Sequence, residues 1–328
     1  MSTTLSDASE RFLLLNEEEV RQVLTMEMAL DEVEKGLRKV ALDEAVNLPR
    51  QRAITDHCML HVMGASSKNQ GAMGAKIYST SRKGQARFLV DLFDGKTGAL
   101  LAILQADYLG QVRTGAASGV ATKYMARPDA GVVCVLGSGK QAGTQLEAVC
   151  KVRKIRHAFV HSPNESNRKA FADSWGRRCQ IEIQPVADPE KAVRESDIVV
   201  TATTSRDPVL KGEWLREGTH INAVGSNFLG KSELALSVLE RCQDVVVDSK
   251  EQARMEAGDF SEALEKGVLH WSDVRDLGQV LVGRYSVRNN PGDITLFKSV
   301  GLAIEDVVVA RRVFQEAVQQ GVGRMISW

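Results

Sequence analysis

The stretch VVCVLGSGKQAGTQLEAV, residues 132–149, determines the fold expected for the larger part of this 328-residue chain. A β-branched run ends in a glycine-rich turn and leads directly into a helical pattern, which is the order of elements in a dinucleotide-binding unit. Gly137 can make the tight turn, Gly139 leaves space for a pyrophosphate, and Ala142 permits close packing of helix on sheet. The loop provides these candidate cofactor contacts: Gly137, Ser138, Gly139, Lys140, Gln141 and Ala142.

Further β-branched runs follow this loop at intervals that leave room for helices. They are HAFVH at 157–161, IEIQPV at 181–186, DIVVT at 197–201, THINAV at 219–224 and DVVVD at 244–248. Alternating strands and helices of this kind predict a parallel sheet covered on both faces. We therefore expect an α/β Rossmann domain over residues 128–299, starting at the proline that ends a predicted helix.

The residues before the loop show a different pattern, in which helix signals are followed by antiparallel strands. Asn16 and Glu19 have the spacing of a helix capping box. FLVDLF at 88–93, the turn DGKTG and the run ALLAILQ predict a hairpin, because the turn supplies Asp-Gly and a second glycine. These signals predict a second, α+β domain over residues 1–127, joined by a final helix at residues 300–328.

The composition argues against several classes of protein. The chain has 42 Lys and Arg against 42 Asp and Glu, whereas a nucleic-acid-binding protein usually has a basic excess. It contains no apolar run of the ~20 residues that a membrane-spanning helix needs. Charged residues from Arg11 onward interrupt the apolar core of a secretion signal, so we expect a cytoplasmic location. Scattered cysteines without a Cys-x-x-Cys pair predict neither a disulfide framework nor a zinc site.

The end of the second Rossmann strand bears on the choice between NADPH and NADH. An Asp or Glu there would hold the ribose hydroxyls of NAD, but the sequence at this point is HSPN. Ser162 and Arg168 have the chemistry to receive the 2′-phosphate of NADPH, which we therefore predict as the cofactor. NADH stays an alternative, in which these two residues serve only as turn and helix-cap residues.

Several segments, in order along nearly the whole chain, carry a resemblance to a known family. They are GAKIYSTSRKG, FLVDLFDGKTGALLAI, QVRTGAASGVATKYMAR, VLGSGKQAGTQ, DIVVTATTSRDPVL, INAVGSNFLGKSEL and FKSVGLAIEDV. On these motifs the chain resembles the ornithine cyclodeaminase and mu-crystallin family, which also contains an alanine dehydrogenase and ketimine reductases. The resemblance implies a Rossmann domain, a second domain for substrate binding and dimerisation, and a homodimer. It also implies hydride transfer at the α-carbon of a small amino acid or its imine.

The resemblance places a substrate-carboxylate clamp at three cations, Arg52, Lys76 and Arg113. Guanidinium groups bind a carboxylate through two parallel hydrogen bonds, so converging cations suit the α-carboxylate of an amino or imino acid. By the same resemblance, further cofactor contacts come from one helix start and from the ends of Rossmann strands, where ligands of such sheets bind. These contacts are Thr114, Thr201, Ala202, Thr203, Val224 and Ser299.

Two positions depart from the cyclodeaminase pattern. Asn227 stands where those enzymes have an aspartate, and an amide can orient water but cannot take its proton. His61 stands where they have an amine-binding glutamate, so two negative charges for a second ammonium group are missing. His61 is either a neutral strand residue packed beside Lys76 or a proton donor, and Lys76 is the alternative acid or base.

These observations favour an NAD(P)H-dependent oxidoreductase that acts on a small amino, imino or 2-oxo acid. An imine that arrives ready-made needs no carboxylate base, so we expect imine reduction, ketimine reduction or amino acid dehydrogenation. One alternative is an ornithine- or lysine-type cyclodeaminase, which releases ammonia and recycles its cofactor within each turnover. Another is an NADPH-binding protein with little turnover, as mu-crystallin relatives suggest. The sequence leaves open the substrate side chain and the direction of the reaction.

Overall fold

Two β-sheets organise the chain in the computed structural model, and each sheet belongs to its own unit. The structure describes residues 11–68, 71–81 and 84–327. The described residues up to Arg113, together with those from Leu302 onward, form the first unit. Thr114–Gly301 form the second unit.

The first unit begins with helices and with strands that pair mainly in antiparallel fashion. Its elements are β1 (Arg11–Leu15), α1 (Glu17–Val23), α2 (Met26–Ala41), β2 (Ala45–Ile54), β3 (Cys58–Ser67), β4 (Ala72–Ser81), β5 (Ala86–Asp94) and β6 (Leu100–Gln105). The predicted capping box begins α1, because the Asn16 side chain accepts the N–H of Glu19 and the Glu19 carboxylate accepts the N–H of Asn16. The predicted hairpin is formed by β5 and β6, and the Asp94 carboxylate accepts the N–H of Lys96 in its turn.

Strand β2 escaped sequence prediction because Pro49 interrupts its pattern. The structure accommodates the proline where the register of β2 against β3 shifts, between Leu48 and Gln51. A proline is tolerated at such an irregularity, since no ladder hydrogen bond is required from its nitrogen. Arg50 lies within this irregular stretch, and Arg52 lies in the regular strand beyond it.

Helix α3 (Asp107–Met125) contains the boundary between the units, which falls after Arg113. The sequence predicts the boundary later, at Pro128, because the proline ends the helix. Side chains of α3 are buried on almost all of its faces, so neither a turn nor a change of composition marks the point where the unit changes. The other boundary, after Gly301, lies next to the predicted position.

The second unit is a parallel sheet with helices on both faces. Its strands are β7 (Val132–Leu136), β8 (His157–His161), β9 (Glu182–Val186), β10 (Ile198–Thr201), β11 (His220–Ala223), β12 (Asp244–Val247), β13 (Val274–Asp276) and β14 (Thr295–Lys298). Its helices are α4 (Lys140–Val152), α5 (Glu165–Cys179), α6 (Pro189–Glu195), α7 (Leu236–Arg241), α8 (Lys250–Glu256), α9 (Ser261–Glu265) and α10 (Leu277–Leu281), with 3-10 turns at Gly212–Trp214 and Gly258–Phe260. Successive residues of β10 face two different apolar clusters, one on each side of the sheet: Val199 packs into one and Val200 into the other.

The order of strands in this sheet is β13-β12-β14-β11-β10-β7-β8-β9. The chain runs outward from β7 through β8 and β9, then returns to place β10 on the other side of β7. Such a reversal leaves a crevice past the carboxyl ends of the strands, where doubly wound sheets bind their ligands. The reversal therefore marks the edge of the sheet at which a cofactor is expected.

The first unit is completed from the other end of the sequence, by α11 (Ala303–Gln320) and β15 (Arg324–Ser327). Its sheet has the order β15-β1-β6-β5-β4-β3-β2, with β1 and β6 parallel and the other described neighbours antiparallel. Helix α11 packs against α2 and against one face of β3 and β4. The predicted combination of a Rossmann unit and an α+β unit with antiparallel strands is confirmed.

Candidate active site

The glycine-rich loop after β7 has the backbone geometry that the sequence predicts. Gly137 has φ +119, and a Cβ at this position would lie 2.3 Å from the carbonyl oxygen of Ala202. Gly139 is the N-cap of α4, and a Cβ there would meet nothing within 4 Å. Ala142 is buried in the apolar cluster between α4 and the sheet. The loop thus combines one tight approach to the β10 end with open space in front of the helix amides, which fits a pyrophosphate.

A cavity of about 410 Å³ opens at the carboxyl ends of β7, β8 and β10. Its wall contains Leu136, Gly137, Ser138, Gly139, His161, Ser162, Pro163, Ala202, Thr203, Thr204, Ser205 and Val209. Sequence reasoning missed Thr204 and Ser205, which directly follow the strand-end residues it selected, and Val209, for which the sequence carries no signal. The cavity coincides with the reversal of strand order.

The other predicted cofactor residues are not part of this wall: Thr114, Lys140, Gln141, Ala142, Arg168, Thr201, Val224 and Ser299. Thr201 is fully buried, and its hydroxyl donates to the Glu233 carboxylate at 2.8 Å. The Ser299 hydroxyl donates to Asp248 at 3.0 Å. Val224 is half-buried and packs against an apolar cluster. Thr201 and Ser299 thus make internal contacts that support neighbouring segments.

The loop after β8 lines the part of the cavity where the adenosine ribose is expected. The Ser138 hydroxyl donates to the Ser162 hydroxyl at 2.9 Å, which joins this loop to the glycine-rich loop. Arg168 reaches back from α5, and its guanidinium donates to the Ser162 carbonyl at 3.1 Å. None of the described residues of the cavity wall carries a carboxylate. This edge of the cavity is therefore compatible with a phosphorylated ribose.

A buried cluster of charges occupies the first unit, where β4, the start of α11 and Arg113 meet. Lys76 Nζ donates to Asp306 Oδ1 at 2.7 Å. Arg113 donates from Nε to the same oxygen at 3.1 Å and from Nη1 to Glu305 Oε2 at 2.8 Å. All four side chains are buried. The first turn of α11 thus supplies counter-ions to two of the three predicted clamp cations.

The pKa values of Lys76 and Arg113 are shifted in opposite directions. Burial lowers the pKa of Lys76 to about 8, with further lowering by Arg113 and a partial opposing effect of Asp306. Burial also disfavours the charged form of Arg113, but the carboxylates of Asp306 and Glu305 outweigh it and raise its pKa. Arg113 therefore stays charged, whereas Lys76 can gain or lose a proton near neutral pH.

The third predicted cation, Arg52, lies opposite His61 across the β2–β3 pair. His61 is buried, stacks on Tyr78 with ring centroids 4.1 Å apart, and has Nε2 3.1 Å from the Thr80 hydroxyl. Burial, followed by the charges of Arg52 and Arg50, lowers its pKa to about 4. His61 is consequently neutral at neutral pH.

Sequence reasoning missed Arg50, a buried cation whose charge acts on both His61 and Lys76. The signal was present in PRQRAIT, because residues two apart in a strand project from the same face. The missing information was that this segment is a strand.

Asn227 lies in the loop after β11 and is half-buried. The hydroxyl of the neighbouring Ser226 accepts a hydrogen bond from the N–H of Phe228, and this bond stabilises a turn in the loop. Phe228 and Leu229 expose apolar side chains to solvent.

In the described part of the chain, no three His, Cys, Asp or Glu side chains are grouped so that they could hold a metal ion. No helix within residues 11–68, 71–81 and 84–327 is long and apolar enough to cross a membrane.

Known proteins are similar to this chain over nearly its full length. A model of the ornithine cyclodeaminase/mu-crystallin family matches residues 10–321. A Delta(1)-pyrroline-2-carboxylate reductase from Bacillus cereus is 40% identical over 241 residues, which are 73% of this chain and 74% of that protein.

Two solved structures show the same fold. One is Thermococcus litoralis Delta(1)-pyrroline-2-carboxylate reductase in complex with NADH and L-proline. It has a TM-score of 0.92 and 37% sequence identity, and the match covers 95% of this chain and 99% of that chain. The other is an archaeal alanine dehydrogenase dimer with bound NAD, with a TM-score of 0.91, 36% identity, and coverage of 97% and 99%. The similarity thus extends across both units.

Proposed function

We propose that this chain, which belongs to the ornithine cyclodeaminase/mu-crystallin family, is an NAD(P)-dependent oxidoreductase of small imino and amino acids. In the reductive direction, a C=N bond at the α-carbon takes up a hydride and a proton and becomes an amine. NAD(P)H, when bound, supplies the hydride. The observation that carries the proposal is Lys76, a buried ammonium group beside a carboxylate, with its pKa lowered to about 8.

Three cations of the first unit, Lys76, Arg113 and Arg52, have roles in this reaction. Lys76 Nζ donates the proton to the imine nitrogen, and it takes the proton back from the amine in the reverse direction. Arg113, whose guanidinium is fixed by Asp306 and Glu305, holds the substrate α-carboxylate together with Arg52. His61 is a poor proton donor, because an imidazole with a pKa of about 4 carries no proton to give at neutral pH.

Asn227 contributes hydrogen bonds that orient the substrate or a water molecule. Its amide cannot act as a base, and this absence of a carboxylate favours reduction of a ready-made imine over deamination.

We propose NADPH as the preferred cofactor, held at the cavity beside Gly137. Support comes from the wall at the end of β8, where Ser162 stands and where no described wall residue has a carboxylate. The Arg168 guanidinium, which reaches back from α5 to the Ser162 carbonyl, adds a positive charge close to this position. Initial rates with each reduced cofactor test the preference, and a lower KM for NADH would contradict it.

The two glycines of the loop are expected to respond differently to substitution by alanine. Gly137→Ala introduces a Cβ against the Ala202 carbonyl at a positive φ, so the free energy of unfolding should fall by about 1–3 kcal/mol. Gly139→Ala meets no neighbour and should keep wild-type stability, yet raise the Kd for NADPH about tenfold by filling the space for the pyrophosphate. Thermal unfolding without cofactor and calorimetric titration with NADPH measure the two effects. Wild-type affinity of Gly139→Ala would show that no pyrophosphate approaches this loop.

The pH dependence should report the titration of Lys76. Reduction needs the protonated amine, so kcat/KM for imine reduction should be level below about pH 8 and fall about tenfold per pH unit above it. Oxidation of the amino acid needs the neutral amine and should rise through the same pH. Rates in both directions, corrected for the known titration of the substrate nitrogen, provide the measurement. A fall in reduction centred near pH 4 in place of pH 8 would point to His61.

A substrate screen tests the function itself. Cyclic ketimino acids, and 2-oxo acids mixed with ammonia or methylamine, are each offered with NADH and with NADPH. Oxidation of the cofactor with formation of the amino acid is the expected result. Release of ammonia from ornithine or lysine without net change of cofactor would identify a cyclodeaminase. Tight NADPH binding without turnover on any substrate would identify a binding protein.

We also propose that the enzyme is a homodimer joined through the first units. The face of the sheet opposite α11 bears exposed apolar side chains on β2, β3 and β5, and Ile77 of β4 lies between Val62 and Leu89. The exposed side chains are Val46 (48% exposed), Leu48 (58%), Leu60 (43%), Val62 (40%) and Leu89 (42%). A contiguous apolar surface of this kind favours association between copies, and the archaeal alanine dehydrogenase is a dimer.

Val62→Lys should convert the dimer to a monomer. Val62 lies on the central part of this face, directly opposite Ile77, and a lysine there would lose its hydration when two faces meet. Light scattering coupled to gel filtration measures the mass, with Val318→Lys on the exposed side of α11 as the control. A Val62→Lys dimer as stable as the wild type would exclude this face as the interface.

A further inference from the structure

A fully buried carboxylate lies behind the wall of the cofactor cavity. Glu233 accepts hydrogen bonds on both carboxylate oxygens: from the Thr201 hydroxyl and the Gly225 N–H to Oε2, each at 2.8 Å, and from the Thr203 N–H to Oε1 at 2.6 Å. Thr201 ends β10 and Gly225 follows β11, so one side chain joins the ends of two neighbouring parallel strands. Thr203 is part of the cavity wall.

The backbone of Glu233 holds a third segment. Its carbonyl oxygen accepts the N–H of Val209 at 2.8 Å and that of Leu210 at 3.1 Å. Val209 is also part of the cavity wall. One residue therefore fixes both ends of the wall segment from Thr203 to Val209, as well as the loop that carries Asn227.

Glu233 is itself held by a buried ion pair. Its N–H donates to Asp259 Oδ1 at 2.6 Å, and the other Asp259 oxygen pairs with Lys298 Nζ at 2.7 Å. Lys298, the last residue of β14, donates in addition to the Ser226 carbonyl at 2.6 Å. All three charged side chains are buried. The pair thus connects the end of β14 to the loop after β11 and to Glu233.

Gly225 is adapted to this arrangement. A Cβ on Gly225 would lie 2.3 Å from Glu233 Oε1 and 2.5 Å from Oε2, so the glycine allows the carboxylate to reach the backbone N–H. A buried carboxylate loses its hydration, and apolar residues of similar volume often stabilise a fold equally well. What an apolar residue cannot provide is two acceptor oxygens for three donors that follow two different strands.

We infer that Glu233 is the positioning residue of the cofactor cavity, and that the Asp259–Lys298 pair keeps it in place. Glu233 acts through Thr203 and Val209, which it holds at the spacing that the bound dinucleotide requires. The inference rests on the proposed function in one respect, namely that the ligand of the cavity is NADPH or NADH.

Glu233→Gln is the sharpest test, because the amide has nearly the same shape but only one acceptor oxygen. Its NH2 group must face at least one of the N–H groups of Thr203 and Gly225, so that donor loses its partner and the wall segment moves. We expect the Kd for NADPH and NADH to rise at least about tenfold. The kcat at saturating cofactor should stay within about threefold of wild type, because none of the hydrogen bonds of Glu233 within the described residues involves Lys76, Arg52 or Arg113.

A second variant and a matched control separate positioning from stability. Thr201→Val removes a single donor to Glu233 without changing volume, and we expect a Kd increase of about threefold. Asp197→Asn is the control, because Asp197 is likewise buried and accepts the N–H of Gly131 and Val132, but at the amino-terminal end of the same sheet. It should lower the melting temperature and leave the cofactor Kd unchanged.

The outcomes are distinct. Calorimetry with NADPH on the full chain, combined with thermal unfolding, is the measurement. Wild-type cofactor affinity of Glu233→Gln and Thr201→Val, with a loss of melting temperature like that of Asp197→Asn, would overturn the inference and leave the proposed function intact. If Glu233→Gln does not fold, an unchanged Kd of Thr201→Val overturns it in the same way. Wild-type protein that binds neither cofactor would refute the proposed function itself.

Discussion

Lys76→Met is expected to lower kcat/KM for imine reduction by about 10²-fold or more, because the imine nitrogen then has no proton donor. Methionine has about the length of the lysine stem and lacks the ammonium group. Asp306 retains Arg113 as its partner, at 3.1 Å, so the carboxylate is not left without a counter-ion. The loss should appear mainly in kcat, and the fall in the rate of reduction above pH 8 should vanish with it. Steady-state rates at saturating NADPH, measured from pH 6 to pH 10, provide the test.

His61→Phe is the companion variant, since His61 was the other candidate for the proton donor. Phenylalanine keeps the stacking on Tyr78, and the expected activity is within about threefold of wild type, because a neutral imidazole donates no proton at neutral pH. Lys96→Met, in the exposed turn between β5 and β6, controls for the loss of a lysine as such. A large loss with His61→Phe and a small one with Lys76→Met would reverse the assignment.

Asp306→Asn is expected to lower the free energy of unfolding by about 3 kcal/mol or more. One oxygen of Asp306 receives both Lys76 and Arg113 in a fully buried position, and the amide would leave two cations with a single carboxylate, Glu305. The same change removes a charge that raises the pKa of Lys76. The pH at which imine reduction begins to fall should therefore move below 8.

Chemical denaturation and the pH profile of the same variant measure both effects. Asp31→Asn is the matched control, because Asp31 also pairs with a lysine, Lys35, but on the exposed surface of α2. Exposed ion pairs contribute up to about 1 kcal/mol, so this variant should differ little from wild type. Equal stability of the two variants would mean that the buried cluster does not depend on Asp306.

Local patterns in the sequence were sufficient to predict the structure wherever it is determined by residues that are neighbours in the chain. The strand, turn and helix around Gly137 form within a single stretch of chain, and the hairpin closed by Asp94 does as well. Both could be predicted because turn conformation and periodicity are local properties. Ligands of doubly wound sheets bind at the ends of the strands, and this general rule correctly selected Ala202 and Thr203, which lie on the cavity wall.

Partners that are distant in sequence could not be predicted in this way. Acidic residues at the start of a helix ordinarily interact favourably with its dipole, and nothing in the sequence around Glu305 and Asp306 indicates a further role. Their partners, Arg113 and Lys76, lie about two hundred residues earlier, and only the packing of α11 on the sheet brings them together. Glu233 was missed for the same reason, since its role depends on loops that follow two different strands.

The return of α11 and β15 to the first unit has a consequence for synthesis of the protein. A ribosome makes β4 with Lys76 and α3 with Arg113 early, but their counter-ions and the strand that pairs with β1 emerge only after all of Thr114–Gly301 has been translated. The unit Thr114–Gly301 can therefore fold on the ribosome, whereas the amino-terminal segment lacks the counter-ions of Lys76 and Arg113 until α11 has been made. Nascent chains of increasing length, challenged with protease, should become resistant in that order.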